Sequence, residues 1–377
     1  MKITTENTPK NHFLVKYYIE SKTTLYDAAF ALAVGQSIGN PSVRNIYETD
    51  ELIQNHCAKI IGDEGELKKM KRGHVEIAFP SINIDWDEDG ISHFICNIMG
   101  GQVDIDIIEK CHILDFDTFN LYEKLTPKFG ISGIREKTQR FGKPILGCIL
   151  KPKIGLTPKQ LGEIVLEMID GGTDVIKEDE IMSNPVFCRY EDRLPIISEI
   201  IKDTNVIYLT TVNGDPHRLI DKVNTAHTFG TNGIHVNIWS GLGAYRSVRK
   251  LDLPITLHYQ KSGDKVITDS SNNYRISWYV LCKLAAMSGV DTIHAGMWGG
   301  YLSDDPYELK NTMDLLVNHN VLPVLSCGMT AELIPKITEK FGVNYMANVG
   351  GAVHSDSRGI KSAVLKLRKS IDENNSN

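Results

Sequence analysis

Beyond residue 143 the chain alternates short β-branched runs with longer segments of helical period, eight times over, and few folds accommodate that rhythm. The runs fall at 145–151, 173–178, 206–212, 233–239, 254–259, 291–296, 321–326 and 344–349. Between the first two, Leu161, Ile164, Val165 and Met168 recur at the spacing of one helix face, the stripe that packs a helix on a sheet. Residues 143–377 number 235, close to the ~250 of an eight-stranded (β/α) barrel. An open doubly wound sheet would need a glycine-rich dinucleotide turn after its first strand, and Lys151-Pro152-Lys153-Ile154-Gly155 is not one. The expectation is an α/β chain in which residues 126–377 form a catalytic (β/α)8 TIM barrel. Residues 1–125 are expected to form a separate α+β domain of ferredoxin-like type, with strands at 13–19, 74–79 and 93–98 around a helix at 25–34. A linker containing Thr126-Pro127 and Gly130 joins the two, and the tail DENNSN (372–377) is expected to fray.

A hydrophobic content of 42% suffices for a large core and excludes disorder. The net charge of −6 is spread along the chain, which argues against a nucleic-acid partner but leaves room for a local basic pocket. No run approaches the roughly 20 apolar residues of a membrane span, and MKITTENTPKNHF lacks the apolar core of a signal peptide. A cytoplasmic protein with no membrane partner is expected. Its seven cysteines are scattered without a CxxC pair and read as reduced thiols.

Active sites of such barrels lie at the C-terminal ends of the strands, and here those ends carry the polar residues. Strand one ends in Lys151 and Lys153, strand two in Lys177-Glu178-Asp179-Glu180, strand five in His258, strand six in His294 and strand seven in Ser326-Cys327-Gly328. Any one of these reads as a salt bridge or a core histidine, but five coincident strand ends point to a site. Clustered carboxylates suit a hard cation such as Mg²⁺. A lysine ammonium cannot ligate a metal, so Lys177 either neutralises the acids or carries a modification that supplies an oxygen ligand. Gly328 after strand seven and Gly350-Gly351 after strand eight fall where barrels of this kind often hold phosphate.

Three stretches, GKPILGCILKPKIGLTPKQ (142–160), GGTDVIKEDE (171–180) and FCRYEDR (187–193), resemble the large subunit of ribulose bisphosphate carboxylase, rubisco. DTIHAG (291–296), LPVLSCG (322–328), NVGG (348–351) and FICNIMG (94–100) follow the same pattern, so the likeness spans nearly the whole chain. It implies that Lys177 reacts with CO₂ to form a carbamate and shares Mg²⁺ with Asp179 and Glu180. It implies catalytic roles for Lys151 and Lys153, which would assist enolisation and proton transfer, and for His258 and His294. Substrate contacts would come from His294 and Ser326, and phosphate contacts from Gly328, Gly350 and Gly351. Asn97 would reach the site of a neighbouring subunit, because family members form homodimers with shared active sites.

The departures indicate a rubisco-like protein rather than a carboxylase. Tyr301 in HAGMWGGYL stands where the family has a mobile, CO₂-positioning lysine, Gly35 where it has a glutamate, and Asn40-Pro41 where it has a threonine-tryptophan pair. Tyr259 replaces an arginine that holds a second phosphate, so a monophosphate is expected to bind better than a bisphosphate. The expected reaction is Mg²⁺-dependent enolisation of a phosphorylated, sugar-derived ketone. Within the family one such job is the 2,3-diketo-5-methylthiopentyl-1-phosphate enolase step of methionine salvage, although those enzymes carry a catalytic lysine where this chain has Asn97. Isomerisation of 5-methylthioribulose 1-phosphate and decarboxylation of a phosphorylated 3-oxo sugar acid use the same intermediate. The reading from another class is a non-catalytic regulatory binder, against which stands retention of both strand-one lysines and all three metal positions.

Overall fold

The computed structural model describes residues 3–373. Two compact units emerge, one built from the chain up to Lys124 together with Gly263–Leu284, the other from Leu125–Ser262 and the chain from Ala285 onward.

The second unit is a closed barrel of eight parallel strands in sequence order: Ile145–Ile149, Val175–Lys177, Ile207–Thr211, Gly233–Asn237, Thr256–Gln260, Thr292–Gly296, Leu322–Leu325 and Met346–Val349. Each lies within one of the eight expected runs or within one residue of it. Their burial on both faces explains why the runs read as continuously apolar rather than alternating. The helix Pro158–Asp170 shows how the sequence sets the layer outside the strands. Thr157 and Gln160 cap it reciprocally, Pro158 opens it, and Leu161, Val165 and Met168 are buried along one stripe.

An apolar floor of Ile145, Val175, Ile207, Leu209, Leu322, Val324 and Met346 fills the barrel toward the strand starts. Two buried aspartates fasten this end. Asp174 accepts from the Leu146 amide at 2.8 Å and from Arg140 and Arg368 at 2.9 and 2.5 Å. Asp291 accepts from the amides of Phe129, Gly130 and Leu257 and from Arg249 at 2.6 Å. Fixed donors of this kind compensate the desolvation that makes a lone buried carboxylate so costly.

The first unit is a mixed sheet in the order Thr4–Thr5, Lys59–Ile61, Arg72–Pro80, His12–Ser21, Ile108–Asp117, Tyr274–Ile276. Its central four strands are antiparallel neighbours and, with the helices Leu25–Gly35 and Gly90–Ile98, form the βαββαβ arrangement of a ferredoxin-like domain. The strand expected at 93–98 is instead part of the second of these helices. Ile91, Phe94 and Ile98 are its buried apolar residues, a helical spacing that outweighs the β-branched composition of the stretch. The excursion Gly263–Leu284, which the sequence reading left in the barrel domain, adds the strand Tyr274–Ile276 parallel to Ile108–Asp117.

At the C-terminus the helix Ile360–Glu373 includes Asp372, the first residue of the tail expected to fray, and 374–377 lie outside the described residues. Among the described residues no helix is long and apolar enough to cross a membrane. All seven cysteines are free thiols.

Candidate active site

Above the apolar floor the barrel interior turns polar. Lys177, at the end of the second strand, is 2% exposed; its Nζ donates to the Glu178 carbonyl at 3.0 Å and lies 3.9 Å from a Glu180 oxygen. Burial pulls its pKa down to about 8, with the neighbouring carboxylates Glu180 and Asp179 resisting that fall. From strand one, Lys151 donates to Asp179 at 2.5 Å and Lys153 stands 4.0 Å from the other oxygen of the same carboxylate. Glu180 also accepts from Ser262 Oγ at 3.1 Å. The five residues singled out at the ends of strands one and two thus meet in one cluster, three lysines against two carboxylates, a mouth biased toward anionic ligands.

Glu178 points the other way. Arg193, wholly buried on the helix Tyr190–Ile201, grips both its oxygens at 2.7 and 2.9 Å, and Tyr208 Oη and the Thr211 amide complete the set at 2.8 Å each. Since side chains alternate along a strand, anchoring Glu178 outside fixes Lys177 and Asp179 inside.

Three histidines form the next part of the interior. His258 Nδ1 meets Thr292 Oγ1 at 2.7 Å and its Nε2 meets Gln260 Oε1 at 3.3 Å. An amide oxygen only accepts, which puts a proton on Nε2, while the Thr292 hydroxyl can donate to Nδ1 or accept from it. Burial first, then the charge of Lys177, holds this histidine well below its ordinary pKa. His294 is pushed down to about 3 by burial and then by Lys261 and Lys177, and its buried Nε2 has no partner among the described residues. His235 escaped the sequence reading. It sits in register beside His258, ring centroids 6.1 Å apart, with Nε2 2.5 Å from Thr211 Oγ1 and no partner for Nδ1 among the described residues. The signal was present: GIHVN, TLHYQ and TIHAG each carry histidine in third place.

Ser326 is buried at the end of strand seven, its amide bonded to the Gly296 carbonyl at 3.2 Å. Gly328 has a structural reason to be glycine, with φ +105° and a Cβ that would fall 2.5 Å from the Tyr301 amide nitrogen. No such crowding meets Gly351, and a Cβ on Gly350 would merely touch Lys151 Cε at 3.6 Å, which places that lysine beside the end of strand eight. Tyr301 is 86% exposed on the loop after strand six. Tyr259 is fully buried and stacks on Tyr245, centroids 4.6 Å apart, in the helix Leu242–Lys250. Asn97 belongs to the first unit, where its Nδ2 donates to the His93 carbonyl at 3.1 Å within its own helix.

Among the described residues no three His, Cys, Asp or Glu side chains converge as a metal site. Asp179 and Glu180 supply two hard oxygen donors, and Lys177 joins them as a third only when its amine carries CO₂ as a carbamate. With that addition the donor set fits Mg²⁺.

A closed eight-stranded barrel whose lysines and carboxylates converge at the strand ends has the architecture of a barrel enzyme. The chain belongs to the ribulose bisphosphate carboxylase large-chain family, whose catalytic domain matches residues 130–375. Ribulose bisphosphate carboxylase of Pyrococcus furiosus is 27% identical over 96% of this chain and 89% of its own. The 2,3-diketo-5-methylthiopentyl-1-phosphate enolase of Microcystis aeruginosa is 28% identical over 93% and 90%. The crystal structure of octameric rubisco from Pyrococcus horikoshii superposes with a TM-score of 0.89 at 24% identity, covering 99% of this chain and 90% of that one, a likeness of fold.

Proposed function

We propose that this protein catalyses the Mg²⁺-dependent enolisation of a phosphorylated, sugar-derived ketone. The observation that carries the reading is the convergence of Lys151, Lys153, Lys177, Asp179 and Glu180 at the ends of the first two strands. Carbamylation joins the neutral Lys177 amine to CO₂ and releases one proton, which the depressed pKa of that lysine favours. Lys177, Asp179 and Glu180 would then hold Mg²⁺, which when bound lowers the pKa of the carbon acid beside the substrate carbonyl. Lys151 or Lys153, once deprotonated, would accept and return the substrate proton, with the Lys177 carbamate a third candidate base. His258, neutral and fixed at both ring nitrogens, serves to orient substrate oxygens rather than to carry charge. Ser326, Gly328, Gly350 and Gly351 border the place where a phosphate would lie.

The enolase relative at 28% identity supports methionine salvage as one setting, while Asn97 stands where the resemblance predicts a lysine for that reaction. The octameric relative supports an assembly of subunits, and we read a homodimer with Asn97 serving a partner's site as its building block. The test is a screen of phosphorylated ketoses and oxo acids for solvent deuterium entering the carbon beside the carbonyl. Exchange dependent on magnesium and bicarbonate supports the reading, CO₂ release alongside it selects decarboxylation, and no exchange with any substrate rejects it.

A further inference from the structure

The sheet of the first unit has two faces of different character. Along His12–Ser21, the side chains of Phe13, Val15, Tyr17 and Ile19 are fully buried. They meet the helix Gly90–Ile98, where Phe13 packs on Phe94 with ring centroids 5.1 Å apart and Tyr17 Oη donates to the Ile98 carbonyl at 2.8 Å. The intervening Lys16, Tyr18 and Glu20 point to the opposite face, since side chains alternate along a strand. There the register draws three rows across the strands Arg72–Pro80, His12–Ser21 and Ile108–Asp117: Glu76, Lys16 and Asp115, then His74, Tyr18 and His112, then Arg72, Glu20 and Lys110. All but His112 keep solvent exposure. Lys16 lies 3.5 Å from Glu76, Lys110 lies 3.4 Å from Glu20, and the Tyr18 ring sits 5.5 and 6.0 Å from those of His74 and His112. At the margin Lys283 donates to Asp115 at 2.8 Å, and Arg275, beside His112, donates to the Thr268 carbonyl at 3.2 Å. Signs run minus, plus, minus in the first row and plus, minus, plus in the third. A face so balanced suits a protein surface with the same alternation better than a polyanion.

We propose that this face docks a second copy of the chain, sheet on sheet, about a two-fold axis lying along the middle row. That axis sets the first row of one copy on the third row of the other. Glu76 then meets Arg72, Lys16 meets Glu20 and Asp115 meets Lys110, each pairing made twice, while Tyr18 meets Tyr18. An axis along the strands would instead set Lys16 on Lys16 and Glu20 on Glu20, so the alternation selects one arrangement by repulsion as well as attraction. At ordinary sheet spacings the three rows cover on the order of 300 Å² per copy, well short of the ~800 Å² of a standard interface, so the contact is weak and salt-sensitive. It is separate from the homodimer built on Asn97, whose helix packs on the other face of the sheet. The contact therefore joins existing assemblies reversibly.

Sedimentation velocity of the full chain tests this, from about 5 µM to about 1 mM protein, at roughly 20 mM and roughly 500 mM salt. We expect the sedimentation coefficient to climb with concentration at low salt, with association about tenfold weaker, or more, at high salt. Lys16→Glu and Glu20→Lys each set like charges opposite one another and should weaken association about tenfold or more. An equimolar mixture of the two single variants should regain it, and so should the double variant, because opposite signs again face each other. No growth of the wild type with concentration at low salt overturns the proposal whether or not the variants fold. Growth undiminished in both single variants, or a mixture of folded variants that regains nothing, also overturns it. A labelled single-stranded RNA bound by the wild type and released by Lys16→Glu would make the face a nucleic-acid site and reject self-docking.

Discussion

Replacing Arg193 by Met strips the counter-charge from Glu178 while roughly preserving side-chain volume. Arg193 makes two bonds to Glu178 and two more to the carbonyls of Cys188 and Ser183, at 2.5 and 2.6 Å, from a wholly buried position. Burial alone would lower its pKa, and the Glu178 carboxylate outweighs that and raises it. After the substitution Glu178 keeps Tyr208 and the Thr211 amide as donors but has lost its cation, and removing one partner of a buried pair costs about 3–5 kcal/mol. For a domain of this size each kcal/mol is worth roughly 2–4 °C, so the barrel transition should fall by roughly 6–20 °C. Scanning calorimetry measures it, and a fall below about 3 °C would refute the reasoning. The double variant Arg193→Met, Glu178→Leu should regain part of the loss, since no charge is then left stranded. If the double variant is less stable than Arg193→Met alone, the damage lies in packing rather than in an orphaned carboxylate.

Lys177 should gain CO₂ when incubated with bicarbonate and Mg²⁺, read by mass or density, with Lys177→Ala taking up none; an unmodified ammonium at saturation would reject the metal assignment. With a pKa of about 8, roughly fiftyfold more neutral amine is present at about pH 8 than at about pH 6, and carbamylation should rise accordingly. The same shift affects stability. Between about 8 and the ordinary 10.5 the unfolded chain holds a proton that the folded one has lost, so unliganded stability rises with pH across that window, and the burial cost is fully present below it. With exposed Tyr301 in place of the lysine, no labelled CO₂ should enter ribulose 1,5-bisphosphate, and Tyr301→Lys alone should not restore fixation because Gly35 and Tyr259 also depart. Mixing Asn97→Ala with Lys177→Ala protein should recover activity in heterodimers, and no recovery after verified subunit exchange would exclude a site shared between subunits.

The barrel was legible because strands buried on both faces leave unbroken apolar runs, and each of its eight strands falls at an expected place. The lysine and carboxylate cluster was legible because those residue types seldom gather at strand ends by chance. Elsewhere local composition misled. FICNI reads as β-branched and aromatic, yet its partner Ile91 lies outside the run and makes the period helical. The polar stretch GDKVITDSSNN gave no sign that the chain there leaves the barrel to add a strand elsewhere. Ending strand five at Tyr259 missed its last residue, Gln260, and His235 went unremarked although it holds the same third place in its strand as His258 and His294.

Asp174 and Asp291 tie strand starts to arginines and amides at the pole of the barrel remote from its mouth. The fold's rigidity is thereby anchored where no ligand needs to come, and the loops at the opposite pole are released from that duty. Libraries that randomise the mouth residues should yield a high proportion of folded members, whereas equally conservative changes at either aspartate should be lost at the first screen for expression. A lineage built on such a scaffold can change what it does to a substrate many times without relearning how to fold.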